Sequence, residues 1–196
     1  MNQYDELFEL LENYPKYPSV GNRIKLSHDG KRLKSLLLGV RSEVGAYNRK
    51  NKSLNPNLME NTTTPEGNEI YKKIESIIDR NHPGFQFNQI IINKNSTFLI
   101  HKDKSNKNKE SLIFTVGTFD EDYGGGITLY NDHDVIKVNN KFYPRANVEP
   151  YDILKVKNNP AIFDGKLIYH STQPFTKKRY CIVCYMNKIP LKYIPL

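Results

Sequence analysis

The sequence predicts an α+β chain that is mainly β. Supporting helices occupy the N-terminal third, and a β-sandwich or jelly roll follows. Three observations predict it. Apolar residues near the N-terminus recur at three and four residues, which is helical spacing. After Phe85 the texture changes to short β-like runs. Turn signals separate those runs at regular spacing, the pattern of sandwiches and jelly rolls.

Tyr4, Leu7, Phe8 and Leu11 define one face of a first helix, which Pro15 and Pro18 stop. Ser35–Val40 reads as a buried strand, and the polar, Asn-rich run Arg49–Thr64 as a surface loop. Thr64 before Pro65 is a helix start, with proline at the first helical position. Ile70, Ile74, Ile77 and Ile78 form that helix's apolar face, and His82-Pro83-Gly84 ends it. Strands are then expected at Gln89–Ile92, Thr97–Ile100, Ser111–Val116, Gly126–Tyr130, Asp134–Val138, Ala161–Phe163, Leu167–Tyr169 and Tyr180–Met186. Turns are expected at 106–108, 124–126, 139–140 and 164–165. The expected organisation is one domain over 1–196, with residues 1–84 as helical support and 85–196 as the β core.

Composition excludes several classes. Lys+Arg 29 against Asp+Glu 21 gives a net charge of +8, which favours polyanionic partners. Two cysteines are too few for a disulfide scaffold or a cysteine-rich zinc module. No apolar run approaches the roughly 20 residues of a membrane helix. The start Met1–Glu6 lacks the basic and apolar regions of a signal peptide, so a soluble intracellular monomer is the expectation.

Chemistry concentrates at His101-Lys102-Asp103. Residues i and i+2 of an extended segment share a face, so imidazole and carboxylate can reach one metal. A second imidazole, His170, lies near the end of the β region. Two histidines and one carboxylate are the donor set of the non-haem Fe(II) facial triad, which leaves coordination positions open. Arg179 follows His170 at the start of the last expected strand, and a guanidinium offers a planar fork to a carboxylate. The order His-x-Asp, distant His, then Arg is far more specific than any of its pieces.

These residues resemble the Fe(II)/2-oxoglutarate dioxygenases, whose fold is the double-stranded β-helix. The sequence is most similar to the branch holding the TET and JBP nucleic-acid pyrimidine oxygenases and their small algal, fungal and viral relatives. The resemblance is carried by Phe87–Asn95, by His101-Lys-Asp-Lys-Ser-Asn106 and by Ser111–Phe119 with Gly125-Gly126. Phe163-Asp-Gly165, His170, Gln173-Pro-Phe175 and Arg179-Tyr180 complete it. It covers roughly residues 85–187. It implies His101, Asp103 and His170 as iron ligands, with O2 as the oxidant. It implies Arg179 on the distal carboxylate of 2-oxoglutarate and Asn106 as amide donor to the metal-side carboxylate. The branch usually has serine after Arg-Tyr; here it is Cys181, a weaker donor at the same place. Ser171 stands where relatives often carry an aromatic residue.

The substrate this implies is the 5-methyl group of a nucleic-acid pyrimidine. The alternatives are a prolyl, lysyl or small-molecule hydroxylase, and an inactive nucleic-acid-binding relative. Lys102, Lys104, Lys107 and Lys109 beside the metal motif, with Lys177 and Lys178, would form a basic rim suited to phosphates. Tyr130, Tyr169 and Tyr180 are candidate stacking residues. His28, His82, His133 and the Asp132-His-Asp134 run read as loop residues. Cys181 and Cys184 face opposite sides of a strand, one inward and one into the core.

Overall fold

The computed structural model describes residues 2–20, 26–28, 30, 32–40, 47–48, 53–54, 60–103 and 106–187. Helix α1 (Gln3–Asn13) begins where the Asn2 side chain accepts from Tyr4 N and Asp5 N, and it ends before Pro15. Strands β1 (Ser19–Val20) and β2 (Leu33–Gly39) follow. The described parts of the expected loop at Arg49–Thr64 hold secondary structure, and a strand precedes it. A short ladder pairs β3 (Tyr47–Asn48) with β4 (Ser53–Leu54), and α2 spans Glu60–Thr63. Residues 49–52 and 55–59 of that loop lie outside the described set. Helix α3 (Pro65–Asn81) starts as expected: Thr64 Oγ1 accepts from Gly67 N at 3.1 Å and Pro65 occupies the first turn.

The β region comprises β5 (Gln89–Lys94), β6 (Asn106–Gly117), β7 (Ile127–Tyr130), β8 (Val135–Val138), β9 (Lys141–Pro144), β10 (Asp152–Leu154), β11 (Ala161–Phe163), β12 (Tyr169–Thr172) and β13 (Arg179–Asn187). A six-stranded sheet runs β1-β2-β5-β13-β6-β11, and a smaller one runs β10-β7-β12. Phe98–His101 extends the smaller sheet beyond β12. His101 and His170 exchange backbone bonds, both 3.0 Å, and Thr172 N donates to Phe98 O. From β5 onward the chain passes between the sheets: β5 large, 98–101 small, β6 large, β7 and β10 small, β11 large, β12 small, β13 large. That winding is the double-stranded β-helix.

Three local expectations are corrected, and two strands were not expected. Thr97–Ile100 makes isolated bridges rather than a regular strand: Phe98 pairs with Ser27 on one side, where Leu99 N donates to Leu26 O, and Thr172 N donates to Phe98 O on the other. Asn106–Asn108 is no turn: β6 begins there, since Asn106 pairs with Asn187 across a register shift. Leu167 belongs to a turn in which Asp164 Oδ1 accepts from Lys166 N and Leu167 N, so β12 starts only at Tyr169. β9 and β10 lack the alternation that would reveal them. β9 is largely exposed and closes a hairpin with β8 through Asn139 and Asn140, both at positive φ.

The large sheet has two unlike faces. Leu36, Ile90, Ile92, Leu112, Phe114, Tyr180 and Ile182 meet Leu7, Leu11, Ile70, Ile74, Ile77 and Ile78 of the helices. Ile113, Cys181 and Val183 look the other way, toward Ile127 and Leu129 of the small sheet. The N-terminal third is therefore more than helical support, because β1 and β2 widen the sheet on which its helices rest. Ile74 is wholly buried between helix and sheet. Ile74→Ala is expected to cost about 2–5 kcal/mol, read as a lower denaturation midpoint with an unchanged m-value. No described helix is long and apolar enough to cross a membrane.

Candidate metal centre

His101, Asp103 and His170 converge, with one donor atom from each lying within 4.8 Å of the others. The backbone arranges this. His101 and His170 are directly paired neighbours on two strands, and their rings lie 4.3 Å apart between centroids. Asp103 follows two residues on, and its N–H donates to Gly165 O at 2.8 Å. A Cβ at Gly165 would stand 2.9 Å from Asp103 Oδ2, so any larger residue in the turn before β12 would press on the carboxylate.

The imidazoles are oriented alike. His101 Nδ1 lies 2.8 Å from Leu99 O, and His170 Nδ1 lies 3.0 Å from Ile168 O. A carbonyl accepts only from N–H, so each Nδ1 is the donor and each Nε2 is the ring nitrogen left to meet a metal. Those Nε2 atoms face the carboxylate, at 3.7 Å to Asp103 Oδ1 and 3.8 Å to Asp103 Oδ2. Two imidazole nitrogens and one carboxylate converging from one side match the donor set of the Fe(II) facial triad.

The cluster lines a cavity between the sheets, with Ile91, Asn93, Phe98, Asn106, Cys181 and Tyr185 on its walls. Arg179 lies on the same face of β13 as Cys181, Val183 and Tyr185. Its side chain is wholly buried. Nε donates to Gly125 O at 2.9 Å, and the guanidinium lies over the rings of Phe175 (5.2 Å) and Phe119 (5.7 Å). A Cβ on Gly125 would strike the Phe119 ring at 2.7 Å, and its φ of +85° is a glycine conformation, so this backbone is shaped to the aromatic clamp. Burial pushes the guanidinium pKa down, and the neighbouring Cys181 thiol draws it back up. Burial also raises the Cys181 thiol, against the pull of Arg179.

Among the described residues, the buried side-chain polar atoms without a partner are Arg179 Nη1 and Nη2 and Thr115 Oγ1. Buried polar groups are nearly always paired, so a set of orphans on one side of a sheet marks a place for a polar ligand. A charged fork and a hydroxyl suit a carboxylate, so the residues fit an oxoacid with a second carboxylate. Thr115 was not evident from sequence. It stands directly opposite Cys181 on β6, and its own N–H and C=O bond to Val156 and Asn158 on the far side. That makes the two a non-hydrogen-bonded pair, in which side chains approach most closely. Thr115→Val is expected to weaken 2-oxoglutarate binding by roughly ten- to a hundredfold, the worth of one hydrogen bond to a charged group at about 1.5–3 kcal/mol. The ligand-free protein should keep its thermal midpoint, since that hydroxyl has nothing to lose there.

Other candidate residues fall elsewhere. Asn106 lines the cavity, but its amide nitrogen donates to Glu110 O (2.6 Å) and Ser111 Oγ (2.9 Å). Ser171 alternates away from the cavity, with its Oγ 3.3 Å from Tyr130 Oη. Tyr180 is no stacking residue: alternation on β13 turns it into the helix-side core against Phe8 and Tyr17. Tyr130 and Tyr169 are cross-strand partners on the outer face of the small sheet, where Tyr169 packs on Phe142. Cys184 is in the helix-side core, as expected. His82 caps α3, with Nε2 2.8 Å from Pro160 O, and His133 is exposed.

Of the lysines expected in a basic rim, the described ones find other partners or lie on the surface. Lys102 pairs with Asp132 at 2.7 Å and lies over the Tyr169 ring. Lys178 bonds Glu12 of α1, on the helix side of the sheet, because it alternates with Arg179. Lys177 is exposed at a positive φ. Lys104 lies outside the described residues, as do the side chains of Lys107 and Lys109.

No protein-family model matches this chain, and no curated protein matches it in sequence. Solved structures do match in fold. An oxidoreductase of the 2OG-Fe(II) oxygenase family from Burkholderia pseudomallei aligns with TM-score 0.52 and 13% identity, covering 94% of this chain and 81% of that one. A Pseudomonas putida prolyl-4-hydroxylase aligns with TM-score 0.46 and 7% identity over 95% of this chain and 84% of that one. NgTET1 in complex with 5mC DNA aligns with TM-score 0.45 and 14% identity over 94% and 68%. The class defined by the strands is therefore the double-stranded β-helix, the fold shared with the Burkholderia oxygenase. The last two likenesses are too weak to bear on substrate.

Proposed function

We propose that this protein is an Fe(II)- and 2-oxoglutarate-dependent oxygenase. One observation carries the reading: a His101–Asp103–His170 donor cluster lines a cavity walled in part by Cys181, Val183 and Tyr185 of β13, and Arg179, on that same strand face, is buried with an unpaired fork. His101 Nε2, His170 Nε2 and the Asp103 carboxylate would hold the metal. Arg179, with Thr115 beside Cys181, would hold the distal carboxylate. When bound, iron with 2-oxoglutarate and O2 supplies the oxidising power to hydroxylate a C–H bond, with succinate and CO2 as coproducts.

The chain's own part is orientation and exclusion of water. Leu99 O and Ile168 O fix the imidazole tautomers. Phe119 and Phe175 shield the guanidinium, so its bonds to a carboxylate form in a low dielectric. Asn106 must turn its amide away from Ser111 before it can donate to an oxoacid.

For the substrate we infer the 5-methyl group of a nucleic-acid pyrimidine. The support is the resemblance over residues 85–187 together with the net charge of +8. A base in a duplex would have to be flipped out, costing a few kcal/mol. The test is aerobic incubation with Fe(II), 2-oxoglutarate and methylated DNA or RNA, followed by succinate and nucleoside analysis. The expected products are succinate and oxidised 5-methylpyrimidines. Succinate without oxidised bases, alongside hydroxylated peptides from a library, would replace the nucleic acid by a protein substrate. No Fe(II)-dependent succinate with any of these would leave an inactive relative.

A further inference from the structure

The Arg179 fork is useful only if the start of β13 is held in one place, and strand ends are where pairing fails. The β13–β5 ladder stops at the pair Tyr180–Lys94. Arg179 lies one residue beyond it. Its neighbour on β6, Gly117, is two residues from Thr115, so Arg179 too is a non-hydrogen-bonded partner there, and its backbone polar groups point toward β5.

Asn95 meets them both. Its backbone N–H donates to Arg179 O at 2.8 Å, and its side-chain Oδ1 accepts from Arg179 N at 2.8 Å. The residue has left the strand and sits at φ +46°, in the left-handed region. Asparagine is among the few side chains that tolerate that region. In this conformation the side-chain carbonyl replaces the backbone carbonyl that a continuing strand would offer, so the ladder gains one more rung without one more strand residue. At the other end of the side chain, Gly125 O holds Nε. Arg179 is thus fixed at backbone and guanidinium by two separate loops.

We propose that Asn95 is a positioning residue for Arg179, and that its amide sets how well the site binds the distal carboxylate of 2-oxoglutarate. The assignment rests on the oxygenase reading above. Asn95 touches neither metal nor oxoacid; it acts through the Arg179 backbone. Removing its oxygen while keeping the left-handed backbone should let the start of β13 move, and the guanidinium with it.

Two variants separate this role from general stability. Asn95→Gly keeps the positive φ but has no acceptor. Asn95→Asp keeps both an acceptor oxygen and tolerance of the conformation. Calorimetric titration of 2-oxoglutarate into Mn(II)-loaded protein gives affinity without turnover. Succinate production gives KM and kcat separately. Asn95→Gly is expected to bind about tenfold more weakly, as for one lost backbone bond in a buried setting, with KM raised and kcat retained. Asn95→Asp is expected to restore binding to within about twofold of the parent.

A glycine variant that binds like the parent overturns the assignment. So does an aspartate variant as weak as the glycine one, or a lowered kcat at unchanged KM. An Arg179→Met arm keeps the two readings apart. If the parent protein binds no 2-oxoglutarate, or Arg179→Met binds as well as the parent, the cosubstrate reading itself fails. If Arg179→Met alone loses binding and Asn95→Gly does not, only the Asn95 assignment falls.

Discussion

Arg179→Met is expected to abolish response to 2-oxoglutarate while leaving the ligand-free protein at least as stable as the parent. The two effects have opposite signs because the guanidinium is buried with Nη1 and Nη2 unpaired. A charge held out of water without a partner destabilises the empty fold, and apolar replacements of buried charges often gain about 1–4 kcal/mol. Part of that gain is offset, because Gly125 O loses its donor. Binding shows the reverse. Two charge-assisted hydrogen bonds, each worth about 1.5–3 kcal/mol, would vanish, so affinity should fall by at least about a hundredfold. A ligand at 100 times its Kd stabilises a fold by about 2.7 kcal/mol, and the variant should lose that increment. Thermal denaturation with and without 2-oxoglutarate reads both. A variant that is several degrees less stable when empty, yet still stabilised by 2-oxoglutarate, would remove Arg179 from this role.

His101→Ala and Asp103→Asn are each expected to eliminate Fe(II)-dependent succinate formation. Loss of a residue that merely orients a metal ligand typically costs 10–100-fold in affinity or activity. Removing a ligand itself should cost more than about a hundredfold. Asp103→Asn is the sharper variant, since it keeps shape and one oxygen but removes the charge. Asp103 is partly exposed and held by its backbone bond to Gly165 O, so the ligand-free fold should be unaffected. Metal binding measured with Mn(II), and the drop in thermal midpoint when a chelator is added, should both disappear. Turnover that survives in both variants would place the metal elsewhere.

Much of this site was legible in the chain, for reasons tied to particular residues. His-x-Asp puts two donors on one face because an extended backbone repeats every two residues, and that follows from local geometry. The same parity, applied to β13, fixes the neighbours of Arg179. Cys181 must share its face, and Tyr180 must not. Counting Tyr180 as a stacking candidate ignored that constraint, and the buried position of its ring against Phe8 and Tyr17 is the consequence. Lys178 failed as a rim residue for the same reason, since it points with Tyr180 toward Glu12. Lys102 is engaged for a different one. Its partner Asp132 is remote in sequence, and no local pattern announces that pair.

By itself the sequence determined the chemistry of the donors, the two long helices and most of the long strands, because propensity, capping and period are properties of adjacent residues. Thr64 and Pro65 start a helix wherever they stand, and His101, Asp103, His170 and Arg179 carry their donor types with them. Only the tertiary structure decided which of these groups meet. Sheet register set His101 against His170 and Thr115 against Cys181, and it gave the backbone of Arg179 to Asn95. Register is the outcome of many cross-strand contacts competing at once, so no single segment encodes it. That is why the candidate donors could be named from the chain, while the Thr115 hydroxyl and the Asn95 amide beside Arg179 could not.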